Sequence, residues 1–293
     1  MGASMLSSTD ATCAGPGAGP ILSVSDLSLR FGGIVAINAL SFDVRRDVIC
    51  GLIGPNGAGK TSLFNCVSRL YNPTTGRIVF DGIDITRHRS QAMARLGIAR
   101  TFQNLALMKS LTVLHNVMLG GYHHGRTRLL RAPFVPVSWR AEETALRVAA
   151  YRLLERLQLD HLAEERIDSL PYPTLKRVEL ARALASQPRF LMLDEPAGGL
   201  SHAEVDDLAR TLVQVRRDFG LTLLLVEHHM GMVMNISDDI VVLDFGNKIA
   251  EGKPVDVRSD PRVIQAYLGK QRGKAGVRKA SPTATGAASG EHA

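Results

Sequence analysis

The sequence has little cysteine, few aromatic residues and no long apolar segment. The spacing of its three cysteines, Cys13, Cys50 and Cys66, matches no CxxC or other metal-ligand pattern, which argues against a disulfide-stapled scaffold and suits a reducing cytoplasm. No apolar run approaches the roughly 18–20 residues of a membrane-spanning helix, so the chain is not predicted to cross a bilayer by itself. Aromatic residues make up 5% of the chain and do not interleave with basic ones, which disfavours nucleic acid as a partner.

Acidic residues are missing from one long stretch. No aspartate or glutamate occurs between Ile85 and Ala141. The same stretch carries these basic residues: Arg87, Arg89, Arg95, Arg100, Lys109, Arg126, Arg128, Arg131 and Arg140. An uncompensated basic face favours phosphate, an anionic leaflet or an acidic partner. A solvated helical surface explains the same charge pattern equally well.

The remaining composition is that of an ordinary globular protein. With 293 residues, 45% hydrophobic and 22% charged, the chain is long enough for one or two domains with a sizeable core. Residues 1–20 are small and polar, which predicts a disordered leader and not a secretory signal. Residues 270–293 are basic and rich in small residues, which predicts a disordered tail that either touches anionic lipid or has no role.

A glycine-rich turn follows a predicted buried strand at 48–53. The turn, Gly54-Pro55-Asn56-Gly57-Ala58-Gly59-Lys60-Thr61, fits the pattern GxxxxGK[ST] and precedes a helical pattern with Leu63, Val67 and Leu70 on one face. Such a loop points successive backbone N–H groups at phosphate oxygens, and the helix N-terminus adds a positive dipole. Lys60 is expected to reach the β- and γ-phosphates, and the Thr61 hydroxyl is expected to ligate Mg²⁺. The glycine spacing differs from GxGxxG, so a dinucleotide site is disfavoured.

Two acids end a second apolar strand, at 190–193. Asp194 and Glu195 follow it directly, which places them at the carboxyl edge of a parallel sheet, where ligands bind. Asp194 is expected to hold Mg²⁺ through water, and Glu195 to orient or deprotonate the attacking water. A third strand, at 221–226, ends in Glu227, His228 and His229. An imidazole at this point either hydrogen-bonds a γ-phosphate or is structural.

The tripeptide Asp244-Phe245-Gly246 spells the magnesium motif of protein kinases. Neither an HRD-type catalytic loop nor a strand lysine accompanies it, so the kinase interpretation is set aside. Gly246 and Asn247 are instead predicted to form a hairpin turn between two strands.

Taken in order, these motifs resemble an ATPase subunit of an ABC transporter. The resemblance covers residues 21–269 and includes Gln103 in the segment Arg100-Thr101-Phe102-Gln103-Asn104. The segments at 29–33, 226–228 and 264–269 are similar to those of the ATP-binding subunit of branched-chain amino-acid importers.

The resemblance implies an α/β fold. We expect a P-loop NTPase core of mostly parallel sheet with flanking helices, an N-terminal antiparallel β subdomain, and an inserted helical subdomain at about 105–185. This helical subdomain would face the membrane partners and contain much of the acid-free basic stretch.

The resemblance also implies roles for individual residues. Phe31 would stack on adenine, Gln103 would touch Mg²⁺ and the surface facing the membrane subunits, and His228 would be the switch histidine. ATP would contact these residues: Phe31, Gly54, Pro55, Asn56, Gly57, Ala58, Gly59, Lys60, Thr61 and Ser62. The catalytic set would be Glu195, His228, Gln103 and Lys60, and the metal set would be Thr61, Gln103 and Asp194.

The signature segment of the family departs from its usual pattern. Where relatives carry LSGGQ or a tyrosine-containing form, this chain has Leu170-Pro171-Tyr172-Pro173-Thr174. Pro171 lacks a hydroxyl and Pro173 lacks a backbone N–H, so two donors to the opposing γ-phosphate are missing. We expect a helix to begin here without a direct phosphate contact, with the Thr174 hydroxyl as the alternative donor. Ser201 also stands where most relatives carry aspartate.

These departures predict an unequal pair of ATPase subunits. The chain would pair with a different ATPase subunit that has an intact signature, together with two transmembrane permease subunits and an external substrate-binding protein. It would lie peripherally on the cytoplasmic face of the membrane. The expected activity is ATP hydrolysis that drives import of branched-chain or other amino acids, or related amides.

Two alternatives stay open from the sequence. One is the ATPase of a lipid or lipopolysaccharide export system, against which Glu227 before His228 argues. The other is a non-transport ABC ATPase that acts by ATP-driven dimerisation, against which the basic helical stretch argues.

Overall fold

The computed structural model describes residues 19–101, 105–122 and 136–267, with the side chains of 136–139 left out. Gln103, residues 1–18 and residues 268–293 therefore lie outside the described residues. The predictions of a disordered leader and a basic tail fall largely there and stay predictions.

A central sheet of six strands organises the fold. Its order is β10-β9-β3-β8-β7-β6. The strands are β3 (Ile49–Ile53), β6 (Ile98–Arg100), β7 (Phe190–Asp194), β8 (Thr222–Val226), β9 (Asp239–Asp244) and β10 (Asn247–Gly252). The pairings of β3, β6, β7, β8 and β9 are parallel, and β10 pairs with β9 antiparallel.

Both faces of the strands β3, β7, β8 and β9 are buried. Successive side chains of a strand point to opposite faces, so each of these strands contributes alternate residues to two apolar clusters. In β7, Leu191 and Leu193 belong to the cluster that also contains helical residues, whereas Phe190 and Met192 belong to the cluster shared with the second sheet. A strand buried on both sides needs a nearly continuous apolar run, which explains why β3, β7 and β8 could be recognised in the sequence.

A second sheet of four strands packs on one face of the first. Its order is β2-β1-β4-β5, and every pairing is antiparallel. The strands are β1 (Leu22–Phe31), β2 (Ile34–Val44), β4 (Thr75–Phe80) and β5 (Ile83–Asp84). The predicted N-terminal antiparallel sheet is therefore present, and it accompanies a mostly parallel core as the sequence suggested.

Eight α-helices lie in the described residues, besides a further helical segment at 261–267. They are α1 (Lys60–Val67), α2 (Gln91–Leu96), α3 (Val113–Gly121), α4 (Pro136–Arg156), α5 (Tyr172–Leu184), α6 (His202–Phe219), α7 (Met230–Ile236) and α8 (Pro254–Ser259). Helices α3, α4 and α5 fall within the segment 105–185, whose exact extent as a subdomain stays a prediction. Among the described residues, no helix has both the length and the apolar composition that crossing a membrane requires.

Two local expectations need correction. Leu70 was expected on the apolar face of α1, but that helix ends at Val67 and Leu70 is 53% exposed. The hairpin between β9 and β10 is present, but its turn residues are Phe245 and Gly246, because Asn247 already belongs to β10. Both turn residues have positive φ, 43° and 79°, as a two-residue type I′ turn requires.

Candidate functional site

Three neighbouring parallel strands end at one edge of the central sheet. The order β3-β8-β7 places the turn after β3, the acids at the end of β7 and the histidines after β8 at the same edge. Parallel strands present their carboxyl ends together, and ligands of open α/β sheets bind at that edge. The topology thus brings together predicted site residues that lie far apart in the sequence.

The glycine-rich turn follows a path that side chains would block. Gly54 has φ 152°, and a Cβ there would lie 2.1 Å from the carbonyl oxygen of Leu243. Gly59 has φ 101°, and a Cβ there would lie 2.6 Å from the carbonyl oxygen of Ala36. These glycines therefore let the loop approach two neighbouring strands at backbone distance.

The β9–β10 hairpin also stabilises the glycine-rich turn through a backbone hydrogen bond. The backbone N–H of Gly246, in the β9–β10 hairpin turn, donates to the carbonyl of Ala58 at 3.0 Å. The carbonyl of Gly246 accepts in turn from the N–H of Asn38 in β2 at 2.9 Å. The hairpin turn thus links the glycine-rich loop to the second sheet.

Lys60 is buried at the start of α1. Its ammonium donates to the carbonyl oxygens of Gly54 at 2.7 Å and Pro55 at 3.1 Å. The lysine is therefore folded back onto its own loop. A phosphate group that approaches the loop would offer stronger, charged acceptors to the same ammonium.

Asp194, the last residue of β7, is paired with a residue that the sequence had not singled out. Its Oδ2 accepts from Nη2 of Arg100 at 2.8 Å, and both side chains are largely buried, 4% and 9% exposed. Burial raises the pKa of the Asp194 carboxyl, and the hydrogen bond and charge of Arg100 oppose that shift.

Arg100 connects this carboxylate to the first helix. Its Nη1 donates to Oδ1 of Asn65 at 2.6 Å and to Oγ of Ser68 at 3.0 Å, and its guanidinium lies 5.4 Å from the centre of the Phe64 ring. Arg100 ends the short strand β6, and the predicted Gln103 follows it three residues later. The strand is too short for its pattern to be recognised, which is why sequence reasoning missed this contact.

Glu195 and His228 meet across the ends of β7 and β8. Oε1 of Glu195 lies 2.7 Å from Nε2 of His228, and both side chains are partly exposed. Glu195 has φ 49°, a backbone conformation that costs energy in a residue other than glycine. When the Glu195 carboxylate is ionised it can only accept, and Nε2 of His228 is then the donor of this bond.

Glu227 is the second residue whose contacts sequence reasoning missed. Its side chain is 1% exposed and its carboxylate accepts from the backbone of Ala197 and His228. The usable signal was its position, since it is an acid directly after a buried strand, like Glu195 after β7.

The predicted metal ligands offer oxygen atoms only. Thr61 is exposed in the first turn of α1, and Asp194 ends the strand that lies two places from β3 in the sheet. Hydroxyl and carboxylate oxygens are the donors that Mg²⁺ prefers, so the chemistry of these residues fits the ion. Gln103, the third predicted ligand, lies outside the described residues.

The predicted adenine contact lies at the edge of the second sheet. Phe31 ends β1, is 47% exposed and packs edge-to-face on Tyr71, with ring centroids 5.3 Å apart. Of the other predicted nucleotide contacts, Asn56 and Gly57 are exposed, and Ser62 is half-buried in the first turn of α1. Their contact with nucleotide stays a prediction.

The signature segment forms a helix start, as expected. Helix α5 begins at Tyr172, with Pro171 as its N-cap residue and Pro173 in its first turn. The Tyr172 ring packs on Gly199, in the loop that follows β7. In that loop the hydroxyl and the N–H of Ser201 both donate to Oε2 of Glu204, at 2.8 and 2.7 Å. Ser201 is therefore engaged at the start of α6.

Comparison with protein-family models gives two matches. Residues 37–198 match the family described as ABC transporter. Residues 247–272 match the family described as branched-chain amino acid ATP-binding cassette transporter.

Curated relatives align over most of the chain. It is 42% identical, over 252 residues, to the high-affinity branched-chain amino acid transport ATP-binding protein BraF of Pseudomonas aeruginosa, covering 86% of this chain and 98% of that protein. It is 40% identical to LivG of Salmonella typhimurium, a protein of the same description, with the same coverage of both chains. The chain is 36% identical to the probable LivG of Archaeoglobus fulgidus, and the alignment covers 86% of this chain and 96% of that protein.

Solved structures show the same architecture. The ADP conformation of an ATP-binding cassette of an ABC transporter superposes with a TM-score of 0.75 at 31% identity, covering 85% of this chain and 99% of that one. A nucleotide-free ATP-binding cassette from an ABC transporter gives a TM-score of 0.74 at 30% identity, covering 85% and 98%.

Proposed function

The chain belongs to the ABC transporter family of ATPases, and we propose that it powers a membrane importer of branched-chain or other amino acids, or of related amides. The relatives BraF and LivG, whose names describe branched-chain amino acid transport, support this substrate class. So does the match of residues 247–272 to the branched-chain family model. The observation that carries the hydrolytic role is the 2.7 Å contact between Glu195 and His228 beside the glycine-rich loop.

Hydrolysis in this site depends on position and charge more than on covalent chemistry. Lys60 and the N–H groups of the Gly54–Thr61 loop would bind the β- and γ-phosphates and stabilise the charge that develops on them. Glu195 would orient the attacking water and accept its proton, and His228 would hold Glu195 and the γ-phosphate in line. Gln103 would report the nucleotide state to the membrane subunits.

Magnesium is the expected companion of ATP in this site. Thr61, Asp194 and Gln103 would hold it, and when bound it would neutralise charge on the phosphate oxygens. Arg100 keeps the Asp194 carboxylate in one orientation through the 2.8 Å bond to its Oδ2.

The altered signature supports an unequal dimer. In the first turn of α5, Pro173 has no N–H to donate, and Pro171 provides no side-chain cap. Ser201, which would meet the opposing subunit, already donates its hydroxyl to Glu204. We therefore propose a heterodimer with a second ATPase subunit, in which this chain supplies the competent phosphate loop, Asp194 and Glu195, and the partner supplies the competent signature.

The other proposed partners are two permease subunits and an external substrate-binding protein, with this chain peripheral on the cytoplasmic face. The test is co-purification in mild detergent followed by reconstitution into lipid vesicles. We expect two membrane subunits to co-purify, and amino-acid-loaded binding protein to stimulate ATP hydrolysis.

Three results would redirect the proposal. Stimulation by lipid or lipopolysaccharide without a binding protein would favour an exporter. Recovery of nucleic acid or soluble partners in place of permeases would favour a non-transport ATPase. Stimulation by a sugar-binding protein, with none by amino acids or urea, would contradict the substrate class.

A further inference from the structure

Glu227 is a buried carboxylate to which the proposed reaction gives no chemical task. It follows β8 directly and is 1% exposed. We infer that Glu227 is a positioning residue, which fixes Glu195 and His228 relative to each other. This inference rests on the proposed ATPase function of the same site.

Both oxygens of the Glu227 carboxylate are engaged. Oε1 accepts from the N–H of Ala197 at 2.6 Å. Oε2 accepts from the N–H of His228 at 2.9 Å and from that of His229 at 3.4 Å, and it lies 3.2 Å from Nδ1 of His229. When the Glu227 carboxylate is ionised it can only accept, and Nδ1 of His229 is then the donor of this contact.

These bonds join the two loops that carry the catalytic pair. Ala197 lies two residues after Glu195, in the loop that follows β7. His228 lies in the loop that follows β8. One carboxylate therefore holds the backbone of both loops, and these loops carry the two side chains that form the 2.7 Å Glu195–His228 contact.

The strained backbone of Glu195 explains why such a restraint is needed. Its φ of 49° persists only where the surroundings hold it in place. The N–H of Glu195 is held by the carbonyl of Val226 at 2.9 Å, and the N–H of Ala197 is held by Glu227. Loss of the second bond frees the peptide beyond Pro196 and with it the direction of the Glu195 side chain.

Only a carboxylate satisfies these donors. Glutamine has the same size, but one end of its amide is an NH₂ group that cannot accept. In one orientation that NH₂ faces the N–H of Ala197, and in the other it faces the N–H groups of His228 and His229. In either orientation the NH₂ of glutamine faces a backbone N–H in a buried position. Two facing donors cost free energy, which shifts either the loop after β7 or the loop after β8.

The test uses this chain assembled with its partner subunits. In Glu227→Gln we expect kcat for ATP hydrolysis to fall on the order of 10- to 100-fold, because small misplacements of catalytic groups are that costly. KM for ATP and the affinity for a fluorescent ATP analogue should stay within about twofold, because the phosphate loop is untouched. Wild-type kcat in this variant, or equal losses in kcat and nucleotide affinity, would overturn the inference.

A second variant keeps the test decisive if Glu227→Gln does not assemble. Glu227→Asp keeps two accepting oxygens but is one methylene shorter, so it should lower kcat less than the glutamine does and leave KM unchanged. If Glu227→Asp assembles with wild-type kcat and Glu227→Gln does not assemble, the carboxylate serves stability only and the inference is wrong.

Asp238 offers a matched control at the opposite edge of the sheet. Its Oδ2 accepts from the N–H of Ile49 at 2.8 Å and from Nη1 of Arg216 at 2.8 Å, so it too joins two elements. Asp238→Asn should lower the melting temperature and leave kcat at the wild-type value. A loss of kcat equal to that of Glu227→Gln would show that general destabilisation is the cause, and would overturn the inference.

A double-mutant cycle separates positioning from an independent effect. Because Glu227 acts through the pair, adding Glu227→Gln to His228→Ala should cost much less than it costs in the wild type. If the losses of kcat in the two single variants add up in the double variant, Glu227 does not act through the Glu195–His228 pair.

Glu195→Gln distinguishes a failure of the proposed ATPase function from a failure of the positioning role of Glu227. Wild-type hydrolysis in Glu195→Gln would refute the proposed function of the site. An inactive Glu195→Gln beside a fully active Glu227→Gln would refute this inference alone.

Discussion

Nε2 of His228 lies 2.7 Å from Oε1 of Glu195, across the ends of two strands that are direct neighbours in the central sheet. The register places Asp194 opposite Val226, so the residues that follow each of them emerge side by side. A carboxylate held by an imidazole in this way has a fixed direction, which a group that orients water requires.

Glu195→Gln should leave ATP bound and nearly stop its hydrolysis. The amide keeps the size of the side chain but cannot accept a proton, so we expect a loss of roughly 100-fold or more in turnover. Phosphate release measures turnover, and isothermal titration measures binding. Glu251→Gln, an exposed carboxylate paired with Lys248 on β10, is the matched control and should keep full activity.

Lys60→Ala should weaken nucleotide binding itself. The ammonium now rests on the carbonyls of Gly54 and Pro55, and it would exchange these neutral acceptors for phosphate oxygens. A charged hydrogen bond contributes about 1.5–3 kcal/mol, which corresponds to roughly a 10- to 100-fold weaker Kd for ATP. Titration calorimetry checks this, with Lys248→Ala as the surface control. An unchanged Kd in Lys60→Ala would contradict the role of Lys60.

In the mixed dimer, the two catalytic acids should not be equivalent. Removing Glu195 should abolish most hydrolysis, whereas removing the corresponding acid of the partner should cost little, because that site faces the altered signature of this chain. Pro173→Gly, which restores an N–H in the first turn of α5, should raise the activity that survives in Glu195→Gln. Equal losses from the two acid substitutions would refute the asymmetry.

Arg100→Met should destabilise the fold. It leaves the Asp194 carboxylate buried without its cation, and breaking one side of a buried pair costs about 3–5 kcal/mol. Asp194→Asn added to Arg100→Met removes the uncompensated charge, so the double variant should recover part of that loss. Urea denaturation gives the free energies of unfolding. A double variant that is less stable than Arg100→Met would contradict this account of the pair.

The stability contributed by Asp81 should depend on pH. Its carboxylate pairs with Arg46 and Arg189, and the hydrogen bond from Arg46 is the main reason that its pKa lies below the usual value. A carboxyl whose pKa is lowered by folding stabilises the protein above its unfolded pKa, near 3.9, and loses that contribution as the pH falls through its folded pKa.

Asp81→Asn should therefore lower the free energy of unfolding by the same amount at pH 7 and pH 5, about 1–2 kcal/mol. The difference from the wild type should shrink below about pH 4. Denaturation at pH 7, 5 and 3.5 measures it, and Asp207→Asn, whose partner Arg210 is largely exposed, is the control. A difference that grows on acidification would have the wrong sign.

The sequence predicted the parts of the site that are local. The loop at 54–61 and the acids at the end of β7 are short patterns with a fixed geometry, and their strands are buried on both faces. The hairpin turn between β9 and β10 could be placed to within a residue, because turn chemistry is local too. The antiparallel sheet was expected only from the family resemblance, without strand bounds.

The contacts made by Arg100 and Glu227 could not be predicted in the same way. The Arg100–Asp194 pair joins residues that are 94 positions apart, and the Glu227–Ala197 bond joins residues 30 positions apart. Arg100 opens the segment that contains Gln103, but nothing near it in the sequence indicates that its partner is Asp194. Such pairs are set by strand order, which no local pattern encodes.

The hydrogen bond from Gly246 to Ala58, and the close approach of Gly59 to the carbonyl of Ala36, hold the phosphate loop in its curved path through contacts within the fold. Because these contacts already restrict the loop, less conformational entropy is lost when a ligand binds to it. The β9–β10 turn is far from the Gly54–Thr61 loop in the sequence. Substitutions in this turn should nevertheless change the affinity for ATP, as substitutions in the loop itself would.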